Sequence, residues 1–442
     1  MMRNRGDKAQ RAWWLQGDRL ILFLFVLASG TISASNALRT LGILLILSLG
    51  ALILSRATSQ TISVRQAPPE LICYSSWVLW TGLTGIFISP VIEIFWMDYW
   101  IVIQMLIMVW TIYGLLRFKL TPQVVFFAGF LYTCIQCAAA LAGVSQVSDL
   151  TQISERITGL TSNPNGLGFL IVTGLAMTSY FWQARFLPNL VRKGAILVLI
   201  AVSGYVVAIS GSRKSLFCYG VFVVLWGVFV VPHGRGVQIM LSRLAAFAVV
   251  MSVIITTIPL IMEGTAFGTR WNELTKGGQL GLTEGLQENV RYEMYVTGLK
   301  MFGANPIAGV GLGQFKVYFP TGAYSHSDII EPLATTGGIG FLLYQSFYVI
   351  LLIRLRKLYV MTRDIGEQYR LKVMGLGMIL ILLFGLGMPH ICTQPVFIYL
   401  AVISAYTWTK LHELQAAVTF GRGMPPVGYA PQPGYRVRPS LG

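Results

Sequence analysis

Arg213 and Lys214 form the first group of residues that could do chemistry in this sequence. They lie in SGSRKS, a very short link between two apolar runs. A guanidinium can bind phosphate oxygens through two parallel hydrogen bonds, and a helix starting near Ser215 would add exposed N–H groups. The pattern favours capture of an anion. A lipid-headgroup anchor and an ion pair with a nearby carboxylate are the alternatives.

His326 is the second candidate, because it stands where another apolar run begins. Ser327 and Asp328 follow it and can cap a helix whose first turn contains Pro332. An imidazole titrates near neutral pH, so it could accept a proton from a sugar hydroxyl, with Asp328 or Glu331 to orient it. A purely structural capping histidine is the alternative.

Other charged or titratable residues are weaker candidates. Arg291 lies beside Glu288 and Glu293, so its simplest interpretation is an exposed ion pair of small energetic value. Arg156 and Arg270 could bind an anion by the same logic as Arg213. His390, in GMPHICTQP, is more typical of a turn residue packed at a helix end.

Composition predicts the fold class. Of 442 residues, 55% are hydrophobic and 11% are charged, which is outside the range of soluble globular chains. We predict an all-α polytopic membrane protein of about twelve transmembrane helices. The predicted spans are 19–36, 40–55, 71–89, 98–116, 122–143, 165–183, 194–210, 215–231, 241–261, 328–353, 371–388 and 394–409.

The distribution of Lys and Arg predicts the orientation. Most of the 33 basic residues fall in cytoplasmic segments if the N-terminus is cytoplasmic, and the C-terminus is then cytoplasmic too. The formal charge of +16 therefore reflects topology rather than nucleic-acid binding. The predicted divisions are a cytoplasmic N-terminus (1–18), helices one to nine (19–261), an outer catalytic loop (262–327), helices ten to twelve (328–409) and a disordered cytoplasmic tail (410–442).

The outer loop is longer than a connector requires, and long loops usually carry function. Its segment 286–302 predicts an amphipathic helix with Leu286, Val290, Met294 and Leu299 on one apolar face. NPIAGVGLGQF follows and predicts a turn. Its glycines are not a dinucleotide fingerprint, because no strand precedes them; they would let the backbone pack closely against helices or ligand.

Four elements in a fixed order resemble the O-antigen ligase and polymerase family of membrane glycosyltransferases. They are NPNGLG at 163–168, SGSR at 210–213, Arg291 followed by NPIAGVGLGQF, and HSDIIEPLATTGGIG at 326–340. The chain departs from the family at Ser327 and Thr335, where relatives commonly have Asn and Glu. These departures bear on which carboxylate would assist the histidine.

The resemblance implies transfer of a whole glycan from undecaprenyl diphosphate to an acceptor at the periplasmic face of the bacterial inner membrane. The acceptor would be lipid A-core, another glycan or a protein hydroxyl, and neither metal nor cofactor is implied. By matching position, Arg213 and Arg291 would hold the diphosphate, and His326 would act as general base or position the acceptor. We expect Lys214, Arg156, Arg270, Asp328 and Glu331 to contribute to substrate binding.

Three functions remain open on the sequence alone. A ligase is favoured over a polymerase because one dominant loop bears both Arg291 and His326. The segment 144–164 with Arg156 keeps the polymerase open, since a polymerase would have two arginine-bearing loops. A flippase or transporter of lipid-linked oligosaccharide would place its ionisable residues at mid-membrane depth.

Overall fold

The computed structural model describes residues 17–31, 67–118, 122–144, 157–161, 163–184, 187–230 and 281–421, which form an all-α membrane bundle. Its helices are α1 (Gly17–Thr31), α2 (Pro69–Ile88), α3 (Ile92–Phe118), α4 (Gln123–Leu141), α5 (Pro164–Ser179), α6 (Asn189–Ile209), α7 (Arg213–Leu225), α8 (Gly281–Ala304), α9 (Phe315–Tyr318), α10 (Ile330–Met361), α11 (Ile365–Gly385) and α12 (Gln394–Gly421). A π-helical turn, Trp226–Val230, continues α7. Seven are long and apolar enough to span a membrane, namely α2, α3, α4, α6, α7 with its continuation, α10 and α11. The predicted polytopic all-α class is confirmed.

Most predicted spans fall on helices, several of which are longer than predicted. The spans 40–55 and 241–261 lie outside the described residues, as do Arg156 and Arg270. The prediction of a disordered tail from residue 410 is wrong for residues 410–421, which continue α12. A hydropathy window is limited to the hydrocarbon thickness, whereas helical hydrogen bonds continue into polar surroundings.

Helix α5 forms the centre of the bundle. Every residue from Leu167 to Ser179 is buried, and the helix packs against α4, α6, α7 and α11. Close approach of α4 and α5 depends on Gly129 and Gly174, where a Cβ would overlap side chains of the facing helix. Small residues at such contacts are typical of helix packing in membranes.

A buried ion pair joins α2, α10 and α12. Glu70 is fully buried, and Arg354 donates to one carboxylate oxygen at 2.7 Å while the Ser404 hydroxyl donates to the other at 2.7 Å. The guanidinium also lies 4.6 Å from the ring centre of Trp408. These contacts fix the register of three helices near the N-terminal end of α2 and the C-terminal end of α10.

Helix α10 is broken at Gly337, whose φ of 69° and ψ of −173° are not helical. The break releases the carbonyls of the preceding turn from the helical pattern, and they accept bonds from elsewhere. Val310 N donates to the Ala334 carbonyl at 3.1 Å, and Gly311 N donates to the Thr335 carbonyl at 2.9 Å. Trp80 Nε1 donates to the Thr336 carbonyl at 3.1 Å. Irregular backbone inside a membrane bundle requires such pairing.

The segment 305–314 that supplies two of these donors is the predicted glycine-rich turn. Gly309 has a φ of 72°, and a Cβ there would collide with the backbone of Thr335 and Gly337. A Cβ at Gly337 would in turn collide with the backbone of Ile307. The prediction that these glycines permit close backbone packing is confirmed.

Helix α8 confirms the predicted helix of the outer loop, but its buried face differs in part. Met294 and Met301 are buried and pack in a small second core with residues of the turn, α9 and α10. Leu299, predicted to be on the apolar face, is 51% exposed. The side chains of Leu286 and Val290 lie outside the described residues.

We predict that Gly337→Ala lowers the thermal unfolding temperature of the purified protein. Its Cβ would meet the Ile307 carbonyl, and alanine disfavours positive φ, so the substitution should cost about 1–3 kcal/mol. Gly194→Ala is the matched control, because a Cβ at this helical position meets nothing within 4 Å. Equal unfolding temperatures for the two variants would contradict the assigned role of the break.

Candidate functional site

The linker between α11 and α12, residues 386–393, is the meeting point of the candidate site. The Gly385 carbonyl, just before the linker, accepts from the backbone N–H of Asp328 at 2.7 Å. The Leu386 carbonyl accepts from the Tyr295 hydroxyl at 3.3 Å. The linker therefore attaches α8, which carries Arg291, to the segment that carries His326.

Lys214 reaches the same linker from the first turn of α7. Its Nζ lies 5.3 Å from the ring centre of Phe384, and a Cβ built on Gly387 would lie 3.4 Å from it. The Nζ atom is buried and has no hydrogen-bond acceptor within the part of the chain that the structure describes. A buried ammonium without an acceptor is costly, so this position favours an anionic ligand.

Two motifs predicted to be functional contact each other at the start of α7. The Ser212 hydroxyl accepts from Ser215 N at 3.3 Å and donates to Asn165 Oδ1 at 2.6 Å. Asn163 caps α5 by accepting from Asn165 N at 2.8 Å. NPNGLG and SGSRKS therefore form one contact that sets the position of Arg213, the first residue of α7.

Arg291 is exposed on α8, one turn before Tyr295. The helix that carries Arg291 is bonded through Tyr295 to Leu386, and Lys214 packs beside the next residue, Gly387. Arg213 directly precedes Lys214 in α7.

His326 has the electrostatic environment of a proton acceptor. The residue is exposed, yet surrounding protein desolvates part of its ring. This desolvation, together with the positive charges of Arg291 and Lys214, lowers the pKa of His326 below its ordinary value. The imidazole is therefore mainly neutral near pH 7 and able to accept a proton.

The Asp328 carboxylate is hydrogen-bonded to groups other than the His326 ring. Its Oδ1 accepts from the Tyr344 hydroxyl at 2.9 Å and from the His390 backbone N–H at 2.8 Å. Burial raises the pKa of Asp328 to about 7, against the lowering effect of these two donors and of Lys214. The capping role belongs to Ser327, whose hydroxyl accepts from the N–H groups of residues 329 and 330 at 3.3 Å each.

Glu331 is also engaged by the backbone. Its Oε2 accepts from Ser325 N at 2.8 Å, and the residue is only 3% exposed. Among the described residues, no carboxylate is hydrogen-bonded to the His326 imidazole. The expectation that Asp328 or Glu331 orients the ring is therefore not met, because both carboxylates accept from backbone N–H or hydroxyl groups instead.

The linker and His390 are the parts of the site that sequence reasoning did not assign to it. His390 is fully buried, and its Nε2 lies 2.8 Å from the Ile381 carbonyl. Burial lowers its pKa to about 4, so the ring is neutral. His390 is thus the packed turn residue that was expected, but its backbone N–H also holds Asp328. Only the turn residues of GMPH signalled this segment in the sequence.

We predict that Arg291→Ala raises the pKa of His326, because a positive charge that disfavours imidazolium is removed. The titration can be followed by NMR of ring-labelled histidine, with the His326 signal assigned from its absence in His326→Ala. Arg291→Lys is the control, since it retains the charge and should retain most of the depression. A pKa of His326 that stays constant or falls in Arg291→Ala would contradict the grouping.

Comparison with known proteins finds a family match for one segment of the chain. No curated protein shows significant similarity to the sequence. One solved chain, from the structure described as "Structural coordination of polymerization and crosslinking by a peptidoglycan synthase complex", aligns over 78% of this chain and 97% of its own length, with 13% identity and a TM-score of 0.42. The family model described as O-antigen ligase matches residues 195–345. That segment contains Arg213, Lys214, Arg291, His326, Asp328 and Glu331. Residues 195–345 are therefore similar to the O-antigen ligase family.

Proposed function

We propose that this protein is a metal-independent glycosyltransferase that moves a whole glycan from undecaprenyl diphosphate to an acceptor hydroxyl. One observation carries the proposal: Lys214 of α7, Tyr295 of the helix that bears Arg291, and Asp328 beside His326 all meet the chain at residues 385–387. The O-antigen ligase match, which covers Lys214, Arg291 and His326, supports the same class of reaction.

The cations suit a diphosphate. Arg213 and Lys214 start α7, and Arg291 lies on α8. During transfer, negative charge accumulates on the oxygen that links the glycan to the carrier diphosphate. Fixed positive groups stabilise this charge without reorganising at the moment of reaction. Electrostatic stabilisation of this kind is usually the largest single contribution to catalysis.

His326 supplies the acid–base step. The acceptor oxygen forms a bond to the anomeric carbon, and the bond from that carbon to the phosphate oxygen breaks with its electron pair. The proton of the acceptor hydroxyl passes to the neutral imidazole. General base catalysis by a positioned histidine contributes typically about 10²–10⁴-fold to the rate.

The proposed setting is the bacterial inner membrane, with both termini cytoplasmic and segment 262–327 acting as the periplasmic catalytic loop. The Lys and Arg distribution supports this orientation. The partners would be the carrier-linked donor, a lipid-core, glycan or protein-hydroxyl acceptor, and membrane lipids. Nucleic acid is not among them.

A transporter is less well supported. The buried Glu70–Arg354 pair is the sort of intramembrane charge that transporters use, but both Glu70 oxygens have hydrogen-bond donors. The candidate cations instead gather around His326 just before α10 begins.

We predict that Arg213→Ala, Arg291→Ala and His326→Ala each lower transfer at least ~100-fold in liposomes that contain carrier-linked glycan and acceptor. Glu413→Ala, which removes an exposed carboxylate of α12, is the control and should transfer normally.

The products distinguish the candidate functions. A single modified acceptor indicates a ligase, and a ladder of carrier-linked products indicates a polymerase. Normal transfer by all three variants, or glycan translocation without any new glycosidic bond, would contradict the proposed enzyme.

A further inference from the structure

We infer that Glu331 and Asp328 are positioning residues that hold the backbone of His326 from both sides. They would act neither as substrate ligands nor as partners of the imidazole. This inference rests on the proposed function, because it assumes that the placement of His326 limits catalysis.

The backbone of His326 requires such support. Its φ is 54°, and it is the one residue other than glycine with a positive φ in the described part of the chain. A left-handed conformation costs a non-glycine residue about 1–3 kcal/mol and persists only where surrounding structure enforces it. Strain of this kind concentrates at functional sites, so the contacts that enforce it are informative.

Glu331 fixes the residue before the histidine. From the first turn of α10, its Oε2 accepts from the Ser325 backbone N–H at 2.8 Å. Ser325 is fully buried, and its hydroxyl accepts from Ser327 N at 3.3 Å. Ser325 and Ser327 are therefore tied together across His326, with Glu331 as the anchor in the helix.

Asp328 fixes the chain after the histidine. Its N–H donates to the Gly385 carbonyl at 2.7 Å, and its own carbonyl accepts from Gln345 Nε2 at 3.1 Å. Its carboxylate accepts from the Tyr344 hydroxyl and the His390 N–H at 2.9 and 2.8 Å. Contacts in four directions connect this residue to α10, the end of α11 and the linker.

The burial of both carboxylates favours a positioning role over direct substrate binding. Glu331 is 3% exposed and Asp328 is 5% exposed, so a substrate could touch neither without displacing the protein around it. Each carboxylate accepts from uncharged N–H or O–H groups. A side-chain amide offers an acceptor oxygen of similar position, so geometry rather than negative charge is what these contacts require.

The test compares alanine and amide variants of the full-length protein in liposomes. We expect Glu331→Ala and Asp328→Ala to lower kcat about 100-fold, because small displacements of a catalytic group have effects of that size. The KM for carrier-linked donor should change little. Glu331→Gln and Asp328→Asn should recover most of the lost kcat. Glu293→Ala, an exposed carboxylate on α8, is the matched control and should have the wild-type rate.

Direct donor binding shows whether each alanine variant is folded, and it should match wild type. Amide variants as inactive as the alanine variants would overturn the inference, since charge would then be required. Alanine variants that are fully active, or that lose donor binding, would overturn it as well. His326→Ala in the same assay tests the proposed function separately: if it is active, the base assignment fails whatever Glu331 does.

Discussion

The geometry of the site depends on the attachment of distant segments to the backbone at the end of α11. The carbonyls of Gly385 and Leu386 accept from Asp328 and Tyr295, and Lys214 packs beside Gly387. Gly385 and Asp328 are both buried, so water cannot replace the bond between their backbone groups. Arg291, His326 and the start of α7 take their relative positions from this one short stretch of chain.

The break in α10 provides a second, complementary constraint. Because the chain leaves the helical path at Gly337, the carbonyls of the preceding turn of α10 accept hydrogen bonds from backbone N–H groups of the turn at 305–314. This turn follows α8 in the chain and is hydrogen-bonded to α10. The small core around Met294 and Met301 also holds α8 against α10. Helix α8, which carries Arg291, is thereby held against the segment before α10.

The helical class and the glycine turn could be predicted from the sequence because each has a local signal: apolar run length indicates spans, and clustered glycines indicate irregular chain. The expected grouping of Arg213, Arg291 and His326 came from the family resemblance and stays a prediction. The directions of Asp328 and Glu331 could not be predicted. Their donors are selected by packing, and residues near in sequence to a histidine need not face its ring.

Other features had no local signal at all. The Glu70–Arg354 pair joins residues 284 positions apart, and single-sequence patterns contain no information on such a partner. The contacts at the end of α11 are made by the backbone carbonyls of Gly385 and Leu386. Every residue type has a backbone carbonyl, so the sequence gives no sign of such contacts. The extension of α12 to Gly421 was missed because hydropathy reports the membrane thickness and not the end of the helix.

We propose that the carrier diphosphate binds between α7 and α8, next to the His326 imidazole. The most direct measurement is an experimental structure of the full-length protein with carrier-linked donor bound. We expect phosphate oxygens within about 3 Å of Lys214 Nζ and of the Arg291 guanidinium, with His326 facing the glycan end. A diphosphate bound elsewhere, with no phosphate oxygen near either cation, would contradict the proposal.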